Sequence, residues 1–486
     1  MKANIAFTKW QVGVVALLGL VVILGVVILV RLGVPASPST MVQAGQLQPA
    51  PAGAAPSKWD TDESIRGGLK LVATYDSSGP DAWSAADHPM VYITSEGAGY
   101  RHRPAKTNLG PGVQIIDAYT KKVVGSALFD LGGKTIMQPH GLGIAPDGKW
   151  VYIGFRDELP SGETRALTLV VNPRTLKLDK VLKQEGYRPP GSPEFVGALH
   201  HSGAFTDWQG RDRALLTYGF GAIGGPYFLL DPKDDNRVVR AITYDDVRPI
   251  GHPYPSPDPT GKFLYISMGS PQIQEAESKI AGIAKLNLET GAVTAIEGVG
   301  NHPIGISHTS DGKFTYVNDG TNSMVFKIDN ATNKVVAHTS AGVAGPYGNR
   351  LSWDESKLYT IGKGEGSHNT GGVVGEINLV TFRPENSFNQ PIDVGGSIMD
   401  HGILHPDPKL NEMWISSAGT WETIVLDLNT RKVTARIPSP NGGDTHSGGF
   451  VRYARDWKGE LLIDMFGPQK AMYQTMRERV EASKKR

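Results

Sequence analysis

The chain has 486 residues, with 49 basic and 48 acidic side chains and a formal net charge of +1. Such a balanced charge provides no field that would attract nucleic acid, so we exclude a nucleic-acid partner. The chain has no cysteine, which excludes disulfides, thiolate metal ligands, iron–sulfur clusters and thiol nucleophiles, and leaves metal chemistry to histidines and carboxylates.

The first predicted element is an apolar helix near the N-terminus. Residues 11–30 read QVGVVALLGLVVILGVVILV, which is long enough as a helix to span a hydrocarbon core of about 30 Å. The run exceeds the apolar region of roughly 7–15 residues found in cleavable signal peptides, so we predict an uncleaved anchor over residues 1–33. Lys2 and Lys9 precede the helix and only Arg31 follows it. This bias predicts a single-pass cell-membrane protein whose C-terminal domain lies in the periplasm or extracellular space.

Three further regions follow the anchor. Residues 34–58 are rich in Pro, Ala, Ser and Gln and predict a flexible linker. Residues 59–466 form the predicted folded body. Residues 467–486 contain QKAMYQTMRERVEASKKR, which predicts a helical, basic and solvated C-terminal tail.

The body contains a repeated unit. Its 59 glycines and 33 prolines, counted over the chain, indicate many turns. The stretches PHGLGIAPDGKWVYIG from residue 139 and HPIGISHTSDGKFTYVNDG from residue 302 each give a short strand, an Asp-Gly-Lys turn and a strand with an aromatic residue. Two more strands follow, as in MVFKIDNATNKVVAHTS. Four strands per unit are typical of a propeller blade.

The spacing of the units predicts the number of blades. Units begin near residues 140, 200, 252, 302, 347, 401 and 446, which predicts an all-β, seven-bladed propeller. The last blade would start with a C-terminal strand and be completed by strands near the N-terminus, so that the ring has no open edge. Surplus strand-like segments between residues 70 and 127 leave eight blades as an alternative.

Histidine stands at the start of every unit but one, where Tyr347 takes its place. The first strand of a blade lines the central channel, so these imidazoles should converge as a metal site requires. Only one of the adjacent His200 and His201 should point inward, because neighbouring strand residues face opposite ways. Repeat duplication and turn geometry would also produce this register, so a purely structural role stays open. The predicted metal ligands are His140, His200, His201, His252, His302, His401 and His446.

The other histidines and acidic residues do not stand at unit starts, so the sequence gives less reason to place them at the centre. Four histidines are expected at the surface or in turns, namely His88, His308, His338 and His405. Two lie in long loops that could cap the channel mouth as additional ligands, namely His102 and His368. Three acidic residues near the centre could orient imidazoles or transfer protons, or could simply serve as turn and cap residues: Glu194, Asp400 and Asp444.

The repeats carry a resemblance to known families. The units DGKWVYIG and DGKFTYVND resemble the YVTN-type propeller repeat of extracytoplasmic proteins over most of residues 70–465. The blade-start histidines, with the pair in LHHSGAFTDWQGR, resemble the multicopper propellers of nitrous-oxide reductase and thiocyanate dehydrogenase, in which such histidines hold a copper cluster. The resemblance implies copper at the seven predicted ligands. It departs from nitrous-oxide reductase because a second, cysteine-containing copper domain is missing. The longer motifs of the haem-binding nitrite-reductase propeller are also missing.

Two functions of different classes follow. The first is a copper-dependent oxidoreductase that acts on a small nitrogen or sulfur compound and exchanges electrons with an external carrier; no catalytic residue is assigned. Copper is preferred to zinc because it binds imidazole more tightly and changes oxidation state. The alternative is a non-catalytic propeller, a scaffold or accessory subunit of a membrane protein complex. A lactonase-type hydrolase is disfavoured, because the unit starts offer few carboxylates for calcium.

Overall fold

The computed structural model of the chain describes most of the residues from 59 onward. The described residues are 59–61, 70–75, 88–95, 112–130, 134–137, 141–158, 160–162, 164–174, 178–184, 198–220, 223–243, 245–247, 250–252, 254–269, 282–366, 371–385, 390–439, 445–446, 448–454 and 458–485. The predicted anchor (1–33) and linker (34–58) lie outside them. Within the described ranges, no helix combines the length and apolar character needed to cross a membrane.

The described regular elements are almost all strands. In the first half they are β1 (Trp59–Thr61), β2 (Lys70–Tyr75), β3 (Met90–Ser95), β4 (Gly112–Asp117), β5 (Val123–Asp130), β6 (Lys134–Met137), β7 (Leu142–Ile144), β8 (Val151–Glu158), β9 (Thr164–Val171), β10 (Leu178–Gln184), β11 (Ala198–Thr206), β12 (Asp212–Phe220), β13 (Ile223–Asp231), β14 (Arg237–Ile242), β15 (Ser256–Pro257), β16 (Phe263–Ser267), β17 (Gly282–Asn287) and β18 (Val293–Glu297). In the second half they are β19 (Pro303–His308), β20 (Phe314–Asp319), β21 (Met324–Asp329), β22 (Lys334–Ser340), β23 (Pro346–Leu351), β24 (Lys357–Gly362), β25 (Val373–Asn378), β26 (Arg383–Pro384), β27 (Ile392–Asp393), β28 (Met399–Leu404), β29 (Glu412–Ser417), β30 (Glu422–Asp427), β31 (Lys432–Pro438), β32 (Gly449–Tyr453), β33 (Gly459–Asp464), β34 (Gly467–Pro468) and the helix α1 (Lys470–Lys484).

These strands form seven antiparallel sheets, which are the blades of a seven-bladed propeller. The prediction of seven blades is confirmed and the eight-bladed alternative is wrong. Five of the blades are consecutive in sequence, from β11–β14 through β28–β31, and the first is built on β6 to β10. Each predicted unit start that the structure describes either precedes the first strand of its blade or lies within the first three residues of that strand.

The seventh blade explains the surplus strands of the sequence. β32 pairs with β3, so the C-terminal and N-terminal parts of the described chain share one sheet, and β4, β5 and β2 extend it outward. β1 adds to the outer edge of the first blade by pairing with β10. The extra strands therefore extend the outer edges of two of the seven blades and do not form an eighth blade.

Local sequence signals set the turns. In the β21–β22 turn, the carboxylate of Asp329 accepts hydrogen bonds from the backbone N–H groups of Ala331 at 3.0 Å and Thr332 at 2.9 Å. Asp427 receives the equivalent bonds from Asn429 and Thr430 between β30 and β31. Such Asx turns satisfy backbone donors locally and so fix tight connections between strands.

The core lies between neighbouring blades. Tyr152 and Val170 of the first blade belong to one buried cluster with Leu216 and Leu230 of the second. The outer strand β22 alternates between exposed and half-buried side chains along most of its length, so one of its faces remains in solvent. Burial between the blades holds the inner strands around a common axis.

Candidate metal centre

Six described histidines from five blades meet at the propeller axis. His200 and His201 lie on β11, His252 precedes β15, and His302 precedes β19. The other two are His401 on β28 and His446, which precedes β32. All six are almost completely buried. The expected convergence of these residues is therefore present, and it follows from the shared position at the start of the innermost strand.

Both members of the adjacent pair enter the centre. The register of β11 against β12 shifts between Leu199 and His201, so His200 is an extra residue in a β-bulge. The two rings lie 4.4 Å apart, edge to face, and both lie within 5.5 Å of the ring of His252. The expectation that only one of them points inward is wrong, because the bulge cancels the usual alternation.

The same irregularity recurs at the start of two other inner strands. Register shifts occur in β23 between Pro346 and Asn349 and in β28 between Met399 and Gly402. They bracket Tyr347 and His401, whose rings lie 4.9 Å apart at the axis. A bulge at this position therefore aims a side chain towards the axis in three of the blades.

Two groups of three histidines have the geometry of a metal site. His200, His201 and His252 form one group, and His201, His401 and His446 form the other, with the nitrogens of each group within 4.8 Å of one another. His201 belongs to both groups, and a metal ion bound through its Nε2 would occupy one group or the other, because that nitrogen has a single lone pair. The Nε2 atoms of His201 and His401 are 3.2 Å apart.

The histidine nitrogens fit a bound transition metal. Two nitrogens on a tetrahedral metal, each at about 2.0–2.1 Å, lie about 3.3 Å apart, close to the 3.2 Å between His201 and His401. Both ring nitrogens of His302 are buried and have no hydrogen-bond partner within the described residues. Burial lowers the pKa of His302, against the opposing charges of Glu365 and Asp319, which keeps a lone pair available.

A buried charged network borders the histidines. Lys363 Nζ lies 2.5 Å from Asp400 Oδ1, 3.4 Å from Glu365 Oε2 and 4.0 Å from the centroid of the Tyr347 ring. Asp400 Oδ2 lies 3.4 Å from Nδ1 of His446. The acidic candidate Asp400 thus lies beside the imidazole of His446, outside the ring of possible ligands, where metal sites commonly place carboxylates.

This network shifts the pKa values of the carboxyl groups of Asp400 and Glu365. Burial raises the pKa of Asp400 to about 6, although the positive charge of Lys363 opposes it. Burial also raises the pKa of Glu365, but the charges of Lys363 and His302 outweigh this effect and hold the pKa below its ordinary value. Asp400 therefore exchanges a proton more readily near neutral pH than Glu365 does.

One end of the channel is closed by the C-terminal chain. β33 pairs with the axial side of β32, and residues 464–466 contact the inner strands of several blades; we call 459–468 the plug. Met465 O accepts a hydrogen bond from Tyr254 Oη at 2.7 Å and another from Arg350. Asp464 Oδ2 accepts one from the backbone N–H of Ala204 at 2.7 Å. The rings of His401 and His201 rest on Tyr254, at 4.7 and 5.1 Å, so the plug supports the floor of the centre.

The plug continues into α1. Tyr473 and Met476 of the helix are buried, while most of its other residues are at least partly exposed. Arg477 donates a hydrogen bond to Ser310 O at 2.8 Å. The C-terminal helix is therefore docked on the ring, which goes beyond the solvated tail expected from its composition.

The remaining residues that the sequence suggested either lie outside the described residues or lie away from the histidine centre. Five of them lie outside the described residues: His102, His140, Glu194, His368 and Asp444. His308 and His405 stand just before the turns of their units but are buried there, so the surface alternative is wrong for both. Sequence reasoning missed Lys363, Glu365, Tyr254 and Arg350. A lysine and a glutamate in the glycine-rich GKGEG at 362–366 were the available signal for the first two.

Fold and site together define a seven-bladed propeller with a histidine cluster at its centre. No protein-family model matches the sequence, and no curated protein matches it. Among solved structures, the dihydro-haem d1 dehydrogenase NirN, in complex with DHE, is similar at 15% identity and a TM-score of 0.48, over 81% of this chain and 83% of that one.

Two further solved structures are similar. A protein of unknown function from Desulfotomaculum acetoxidans has 12% identity and a TM-score of 0.46, over 74% of this chain and 98% of its own. A candidate 6-phosphogluconolactonase from Bacteroides fragilis has 15% identity and a TM-score of 0.45, over the same shares. At these identities and scores, the similarities carry no statement about function.

Proposed function

We propose that the histidine centre binds copper and that the chain is an oxidoreductase acting on a small nitrogen or sulfur compound. The observation that carries this proposal is the cluster of six buried imidazoles from five blades, five of which form the two three-histidine groups, while His302 lies beside His252. Neutral imidazole suits both copper and zinc, and copper binds more tightly in the general order of affinities. Copper also supplies one-electron redox chemistry, which zinc lacks. The resemblance of the blade-start histidines to multicopper propellers supports the same choice.

The surrounding residues have separate tasks in this proposal. Lys363 places a buried ammonium donor beside the centre, held there by Asp400 and Glu365, and this donor would hydrogen-bond a small polar substrate. Asp400 Oδ1 holds Lys363 and Asp400 Oδ2 faces His446, so this carboxyl can move a proton at the edge of the centre. The plug and Tyr254 exclude water from one side, so substrate would enter from the opposite end.

We further propose that the apolar run 11–30 tethers the propeller to the cell membrane, with the ring in the periplasm or extracellular space. The chain has no cysteine for an internal copper relay, so electrons would pass to or from an external carrier. The same lack of a relay favours the second candidate, a non-catalytic accessory subunit of a membrane complex.

Copper content separates the two candidates. The full chain is purified without a metal-binding tag, loaded with copper, desalted and subjected to elemental analysis. We expect one or more retained copper ions per chain, followed by redox turnover of small nitrogen or sulfur compounds. His201→Ala should lose more copper than His446→Ala, because His201 belongs to both three-histidine groups. The control His338→Ala, on the outer strand β22, should retain all of it. No retained copper in the wild-type chain, or full retention in His201→Ala, contradicts the proposal.

A further inference from the structure

A tyrosine stands among the histidines at the axis. Tyr347 occupies the blade start that lacks histidine, and only 1% of its surface is exposed. Its Oη lies 2.8 Å from Nε2 of His252 and 3.4 Å from Nε2 of His201. Both neighbours belong to the same three-histidine group, together with His200. The phenol oxygen is thus a fourth potential donor beside three nitrogens.

The distances suit a shared metal. Donors on one tetrahedral metal lie about 3.3 Å apart when their bonds are about 2.0–2.1 Å long, and the oxygen lies 2.8 and 3.4 Å from two of the nitrogens. We propose that Tyr347 is a direct metal ligand through its phenolate oxygen and completes a four-donor site with His200, His201 and His252. This inference rests on the proposed metal-binding function and adds an oxygen ligand of a different chemical class.

The surroundings favour an anionic ligand. Three neutral imidazoles leave the full double charge of a divalent ion buried at the axis, which is costly in a medium of low dielectric constant. One phenolate reduces this charge by one unit. Lys363 Nζ, 4.0 Å from the ring centroid, also stabilises negative charge on the tyrosine. Asp400 and Glu365 hold Lys363 in that position.

The binding step has a defined proton balance. In the metal-free chain, the Tyr347 hydroxyl and His252 Nε2 share a hydrogen bond. When the divalent ion binds, the O–H bond breaks, a metal–oxygen bond forms, and the proton leaves to solvent without electron transfer. A neutral-imidazole site alone releases no such proton, so Tyr347 adds one released proton per bound ion.

The experiment compares the full chain with Tyr347→Phe. Copper(II) or zinc is titrated into each metal-free protein, protons released are counted by calorimetry in buffers of different ionisation enthalpy, and visible absorption and resonance Raman spectra are recorded. The matched control is Tyr254→Phe. Tyr254 also lies against His201 and His401, but its Oη donates to Met465 O in the plug.

We expect wild type and Tyr254→Phe to release one more proton per ion than Tyr347→Phe with either metal. Only the copper(II) forms with Tyr347 should show a phenolate-to-copper charge-transfer band and tyrosinate Raman modes. The midpoint potential of copper should rise in Tyr347→Phe, because a hard anionic ligand favours the oxidised ion.

The possible failures are distinguishable. Wild-type protein that retains no metal contradicts both the proposed function and this inference. Wild-type protein that retains copper but lacks tyrosinate Raman modes overturns this inference alone, and that measurement does not depend on how any variant folds. Equal proton release in wild type and Tyr347→Phe overturns it as well.

Discussion

At the scale of single residues, His308 and His405 show what a repeat pattern conceals. Both stand next to the turn of their unit, which suggests exposure, yet both are buried. His308 Nδ1 and Thr315 Oγ1 are 2.8 Å apart, and the His405 ring lies 5.6 Å from that of Phe450 in the next blade. The sequence identifies the turn, but the neighbouring blade that covers it is not visible in a local pattern.

The burial of His405 predicts a pH dependence of stability. Burial lowers the pKa of His405 to about 4, against the opposing effects of Asp407, while Lys121 acts in the same direction as burial. Between pH 6.5, the ordinary pKa of histidine, and about pH 4, this side chain binds a proton in the unfolded chain but stays neutral in the folded chain. The contribution of His405 to the free energy of unfolding is therefore complete above pH 6.5 and is lost as the pH falls towards 4.

The variant His405→Asn isolates this effect, since its amide oxygen can replace Nδ1 as acceptor for the backbone N–H of Asp407. We expect the unfolding free energy of wild type, relative to the variant, to fall by up to about 3 kcal/mol between pH 6.5 and 4. Denaturant unfolding at a series of pH values measures it. The exposed His338→Asn is the control, and a constant difference between wild type and His405→Asn would refute the account.

At the scale of elements, the bulges decide the composition of the centre. A regular strand would have turned one member of the His200 and His201 pair away from the axis. The register shift after Leu199 keeps both rings there. Blade-start histidines were predictable from the repeats because their position is periodic, whereas a bulge depends on pairing with the next strand and has no signal in the repeat.

The plug is the second element that determines the centre. Arg350 on β23 donates hydrogen bonds to Met465 O and, at 3.3 Å, to Tyr254 Oη. Arg350→Met keeps most of the side-chain volume but removes these charged hydrogen bonds. We expect the free energy of unfolding to fall by about 3 kcal/mol, measured by urea denaturation.

The matched control for this prediction is Arg452→Met on β32. Its guanidinium is exposed and pairs with Glu460 at 2.5 Å, so its loss should change stability by no more than about 1 kcal/mol. Equal effects of the two substitutions would mean that the plug contributes nothing specific to the fold.

At the scale of the whole molecule, periodicity made the propeller predictable. The Asp-Gly-Lys and Asn-Thr turns recur with the blades, so both the fold class and the seven blades follow from the sequence. The paired termini of the seventh blade were also predictable, because the last unit lacked strands that the N-terminal region had in surplus. The axial position of the plug was not predictable from the sequence, because GELLID at 459–464 has the pattern of an ordinary blade strand. Its axial position depends on glycines such as Gly203, where a Cβ would lie 2.3 Å from the Phe466 ring.

Anomalous diffraction would show whether copper binds at the axis of the ring. Crystals of the copper-loaded full chain would be measured on both sides of the copper absorption edge. We expect anomalous peaks at the axis, within about 2.1 Å of histidine nitrogens that include a nitrogen of His201. Peaks confined to exposed histidines such as His338, or no peak at the axis of a copper-loaded protein, would contradict it.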